Sequence, residues 1–282
     1  MIEALQFEFM RNAFMAGILA SVVCGIIGTL VVVNRIVFIS GGIAHAAYGG
    51  IGLAFFMGWP FLPTTLGFSV GISCVMAAVS LRDRHRADTV IGVIWALGMA
   101  AGIILTDLTP GYNVNLMSFL FGSILTVPPE EVWGMLALTV GIVVVVAALY
   151  QPFLAMSYDE EFARIRGVPV TPLYFLLIAT VAVAVVMVIQ VVGLILVIAL
   201  LTIPPFIVER HCRSLVTMMA GSIVLGVVFT LIGLWVAYAL NLTSGASIIL
   251  VAGLGFVSAR LLEAVFARRP RTAPSPAAPP NC

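Results

Sequence analysis

The stretch GGIAHAAYGGIGLAF, from Gly41 to Phe55, sets one histidine among glycines, alanines and apolar residues. A neutral imidazole is a good ligand for zinc and other first-row metals. At membrane depth an ionisable side chain is costly, and it ordinarily faces a cavity or the interior of a helical bundle. His45 therefore reads either as a ligand for a passing cation or as a core histidine bonded to a backbone carbonyl. Tyr48, three residues on, and the sulfurs of Cys24 and Cys74 are candidate assistants, though each is more simply read as packing. Sulfur in such a site would favour metals softer than manganese. The other two histidines, His85 in RDRHRAD and His211 in ERHCRS, stand among charges as solvated residues do. Four cysteines show neither C-x-x-C spacing nor a disulfide framework, so they suggest no redox or structural zinc site.

A second chemistry is written in SYDEEFARIRGVP, Ser157 to Pro169. Asp159, Glu160 and Glu161 fall where a helix begins, and Arg164 and Arg166 where it ends. Gly167 supplies a C-terminal stop with Pro169 just beyond, in agreement with the helix dipole. Phe162 and Ile165 stand three apart on one face, so a partner could bury them while the charges pair around the rim. Two readings compete: a solvated interhelical loop, since charge runs usually are solvated, and a docking helix for a cytoplasmic protein. A third chemistry is excluded. All 13 basic residues are arginine, and a phosphate-cradling P-loop needs its lysine, so any ATP must be hydrolysed by another chain.

The elements that would position these residues follow from composition. Of 282 residues, 62% are hydrophobic and 9% charged, against roughly a quarter charged in soluble domains. The fold class is an all-α polytopic membrane protein, the permease domain covering 1–264. Apolar runs and their breakers give about nine helical segments, 8–9 of them spans. The segments are 12–33, 39–58, 62–81, 88–106, 130–150, 171–189, 191–208, 214–239 and 244–262, with a turn required near Gln190 and Gly193. The first is read as a span and not a removable signal. Met117 to Val127 is too short to cross and reads as a re-entrant half-helix. Gly41, Gly42, Gly49, Gly50 and Gly52 mark the second segment for close helix packing. Asp107, Tyr112, Glu130 and Glu131 gather around the half-helix, either as a hydrated loop or as outer contacts for cations or a delivery protein.

Orientation follows from arginine. With the N-terminus outside, 12 arginines fall on the cytoplasmic side and only Arg11 falls outside. The segment 157–169 is then cytoplasmic, as is a disordered proline-rich tail, 265–282. Mid-span carboxylates, which an ion-driven secondary transporter would want, are missing.

The segment SYDEEFARIRGVPV resembles the coupling helix in membrane subunits of metal-ion ABC transporters, the importers of zinc, manganese or iron(II). GGIAHAAYGGIGLAF, SFLFGSILTV (Ser118 to Val127) and VVGLILVIALLTIPP (Val191 to Pro205) resemble the same family, in the same order. The resemblance spans Phe9 to Leu262. It implies a permease that pairs with a second copy of itself in a prokaryotic inner membrane, above separate ATPase subunits that hold the ATP. An extracytoplasmic metal-binding protein delivers the ion, no cofactor is bound tightly, and nucleic acid plays no part. It also places His45 on the translocation route. The chain departs from the family pattern Asp-Ala-x-Ser-His-Ala, with Gly41 at the aspartate position and Ala44 at the serine position. Permeases for a chelated metal, such as vitamin B12 or a siderophore, share a similar architecture and are the alternative.

Overall fold

The computed structural model describes residues 8–83, 86–109, 120, 122 and 124–267. Among them all regular structure is helical: α1 Glu8–Val33, α2 Val37–Met57, α3 Phe61–Arg82, α4 Ala87–Asp107, α5 Pro129–Ala148, α6 Tyr150–Tyr158, α7 Glu160–Ile165, α8 Val170–Val192, α9 Leu194–Glu209, α10 Leu215–Leu240 and α11 Ser244–Ala267. A 3₁₀ turn, Ile124–Thr126, precedes α5. Eight of these helices are long and apolar enough to cross a bilayer, which needs about 20 residues. The shorter α9 has 16 residues and carries Pro204 and Pro205 inside it. Most of the expected half-helix and Tyr112, His85 and the tail from 268 onward lie outside the described residues.

The nine expected segments are present with shifted ends, and α6 is an addition. Its cause is Pro152. A proline ring clashes with the carbonyl four residues earlier, here that of Ala148, where α5 stops. In the first turn of α6 the same proline costs nothing, because no N–H is needed there. The required turn in the long apolar run falls at Gly193, whose φ of 84° and ψ of 161° are open only to glycine. That one residue separates α8 from α9.

Helices α1, α2 and α8 are the most buried, and α11 lies at the periphery with its apolar side chains outward. Two seams hold the centre. Along α1 and α10, the hydroxyl pairs Ser21–Thr230 (3.1 Å) and Thr29–Ser222 (3.3 Å) bridge backbones brought close at Gly25. In lipid such bonds contribute about 0.6 kcal/mol each. Along α2 and α4, Gly49 lies on the carbonyl of Gly98 and Gly52 on the backbone of Gly102, so any side chain at Gly52 would force the helices apart.

One end of the bundle gathers the arginines. Arg35 follows α1, Arg82 ends α3, Arg86 precedes α4, Arg164 and Arg166 close α7, Arg210 and Arg213 follow α9, and Arg260 lies in α11. Asn34 donates to Ser157 across this end, Tyr174 to Ser80, and Arg210 pairs with Glu263 at 2.9 Å. Helix α1 closes here by donating Ile36 N–H to Val31 O and Arg35 N–H to Val32 O, with Arg35 left-handed at φ 57°. The same closure uses Gly58 after α2 and Gly167 after α7. An arginine in that conformation costs about 1 kcal/mol.

Candidate functional site

The short helix of the charged segment is built as its sequence signals. Asp159 is extended and its Oδ1 accepts the Phe162 N–H at 2.9 Å, capping α7. Arg164 pairs with Glu160 one turn back at 2.8 Å, and the Arg166 guanidinium lies 5.0 Å from the centre of the Phe162 ring. Gly167, at φ 81°, and Val168 donate back to Arg164 and Ala163. Ala163 is wholly buried beneath the helix, whereas Phe162 is 51% and Ile165 84% exposed. Glu161 is also exposed. Two large apolar side chains thus face outward within a ring of charges. Behind α7, α6 anchors the unit by burying Phe153 and Met156.

His45 lines a cavity of about 930 Å³ that opens between α2, α4, α9 and α11. Its imidazole stacks on Trp95 of α4, ring centroids 4.2 Å apart and planes 17° from parallel. The Nδ1 atom is buried and has no hydrogen-bond partner. That removes the reading of a core histidine tied to a backbone carbonyl through Nδ1. A buried imidazole nitrogen left without a partner is a costly arrangement. The cavity walls are mostly apolar, from Phe38, Ile198, Ile203 and Phe206, with Thr202, Arg35 and Glu209 adding polar groups.

Gly41 corrects one expectation. The sequence sets it with the packing glycines, but a Cβ there would meet nothing within 4 Å, and it lines the cavity instead. Gly42 packs on Ile91 and Met76, Gly49 and Gly50 on Phe68, and Gly52 on Gly102. Tyr48 is placed apart from His45. It is 2% exposed, its backbone and ring lie over Gly102 in the α2–α4 seam, and it does not line the cavity. Three residues of helix leave the two side chains only about 60° apart, and within that arc Tyr48 falls on the side packed against Gly102. Cys24 is buried and Cys74 half-buried, and neither lines the cavity. Among the described residues no three of His, Cys, Asp and Glu converge, and of these residue types the cavity lining holds His45 and Glu209.

At the end opposite the arginines, Asp107 closes α4 while Glu130 and Glu131 open α5, all three exposed. Two acids in a first turn suit the helix dipole whatever else they do. The end of the expected half-helix is anchored here: Ile124 is buried, and Asn12 donates to Val127 O at 3.3 Å. Sequence reasoning missed Trp95, Phe38, Thr202 and Glu209. Nothing in a single apolar helix says which residue of another will face it, and Arg35 was read for orientation alone.

Comparison with known proteins gives four findings. A family model described as the ABC 3 transport family matches residues 6–263. An uncharacterised membrane protein of Synechocystis is 50% identical over 257 residues, covering 91% of this chain and 92% of that one. The manganese import system permease protein ScaB of Streptococcus parasanguinis is 29% identical over 252 residues, with 89% and 90% covered. Among solved structures, PsaBC from Streptococcus pneumoniae in complex with Fab superposes with a TM-score of 0.82 at 27% identity, covering 92% of this chain and 93% of that chain.

Proposed function

Because the chain belongs to the ABC 3 transport family, we propose that it is the permease of an importer for a divalent transition metal, with manganese the first candidate and zinc and iron(II) next. The observation that carries this reading is His45: an imidazole that lines the cavity and whose buried Nδ1 has no hydrogen-bond partner. One nitrogen ligand holds a cation briefly, and a route must release what it binds. The similarity to a manganese import permease supports manganese as cargo.

On this reading the arginine-rich end faces the cytoplasm of a prokaryotic cell, with the N-terminus outside. Two copies of the chain enclose the pathway, and separate ATPase subunits grip α7. Phe162 and Ile165 fill a groove of the ATPase, and Glu161, Arg164 and Arg166 fix its register. ATP hydrolysed there drives the permease between outward-open and inward-open arrangements. A metal-binding protein docks at the acidic outer end, near Asp107, Glu130 and Glu131.

The size of the cavity favours a second reading, a chelated metal as cargo. A cation with six waters fills roughly 180 Å³ at about 30 Å³ per water, well short of the space available. Uptake of radiolabelled manganese, zinc and iron(II) into cells expressing the chain with its ATPase and binding protein separates the two. ATP-dependent accumulation of a free ion is expected. Unchanged metal content after deletion would sink the metal-import reading, and uptake of chelates alone would transfer it to the second.

A further inference from the structure

Two cavities meet at the arginine-rich end, and Arg35 and Phe38 line both. One is the His45 cavity. The other, about 460 Å³, adjoins the start of α7 and is lined by Asn34, Ser80, Asp88, Glu160 and Tyr174 among others. Between them stands the turn from α1 to α2.

Three observations converge on that turn. Arg35 occupies a left-handed position that α2 and α7 give to glycine, so its side chain is retained against a backbone preference. Its exposed guanidinium makes no ion pair or side-chain hydrogen bond among the described residues, although Glu209 lines the same cavity. Its neighbour Asn34 donates through Nδ2 to Leu30 O at 2.8 Å and to Ser157 Oγ at 2.9 Å. Ser157 belongs to α6, which leads directly into the Asp159 cap of α7.

We propose that Arg35 is a cation gate at the mouth of the His45 cavity, and that α7 moves it through the Asn34–Ser157 hydrogen bond. The inference rests on the metal-import reading. A fixed positive charge at the mouth of a cation route is an electrostatic barrier, as arginines are in other selective pores. Movement of α6 and α7 drags Asn34, and a turn held in a costly conformation has a second, relaxed one to move into. Drawing the guanidinium towards Glu209 would lower the barrier.

The test uses the permease with its own ATPase in phospholipid vesicles preloaded with manganese(II). Arg35→Gly suits the left-handed backbone, so its melting temperature should equal or exceed that of the wild type. Its vesicles should leak manganese without ATP about tenfold faster than wild type, whereas Arg35→Lys vesicles stay tight. Asn34→Ala and Ser157→Ala should also stay tight, with ATP-driven transport about tenfold lower, co-purification of the ATPase unchanged, and the double variant no worse than either single one. Arg35→Gly vesicles as tight as wild type would overturn the gate, even if transport fell. Wild-type transport by Asn34→Ala would overturn the linkage. A wild-type complex that moves no manganese, zinc or iron(II) would be a failure of the metal-import reading, separable from a tight Arg35→Gly variant of a transporting complex.

Discussion

At His45 the chemistry is decided by what surrounds one ring. Trp95 covers a face of the imidazole, the cavity opens on the helix side marked by Gly41, and Nδ1 is left without a partner. Stacking contributes about 1 kcal/mol, so its loss should leave the fold intact. His45→Ala is accordingly expected to lower metal uptake about tenfold, equivalent to about 1.4 kcal/mol, while membrane insertion and ATPase co-purification stay at wild-type levels. Uptake at the full rate would return His45 to the core. The histidine was legible in the sequence, because an ionisable residue stands out in an apolar run. Trp95 was not, since its meeting with His45 depends on how α4 is rotated against α2.

At the scale of elements, α7 shows a pattern that needs no tertiary context. Its cap and its ion pair each join residues no more than four apart in the chain and its stop is a single glycine, and the sequence places the acids at its start, the bases at its end and Gly167 as its stop. What the fold adds is the direction of its faces: Ala163 inward, Phe162 and Ile165 outward. Phe162→Ala combined with Arg164→Glu removes an apolar anchor and reverses a charge. The double variant should insert normally but lose at least about tenfold in affinity for the ATPase, read as loss of co-purification. Unchanged co-purification would make α7 a solvated loop. The break at Gly193 was legible from length alone, because a helix from Pro172 to Pro204 would exceed the bilayer. The split of α5 from α6 has Pro152 as its one local signal, and the apolar runs on both sides mask it.

For the whole molecule, the outward faces carry the next question. Helices α3, α4, α5 and α11 expose leucine, valine and tryptophan over much of their length, which suits lipid and also a second copy. We expect the detergent-solubilised complex to contain two permease chains and two ATPase chains, as measured by light scattering with protein–detergent separation. One permease per complex would remove the paired pathway. The sequence by itself determined the membrane class, the nine main helices, the arginine-rich end and the shape of α7. Each of these rests on composition or on contacts close in the chain. Only the tertiary structure decided that Gly41 faces a cavity while Tyr48 faces a seam, that Trp95 stacks on His45, and that Arg35 stands between the histidine and α7. Apolar helices carry little amphipathic signal to fix their rotation, so which residues meet across them is set by packing between distant segments.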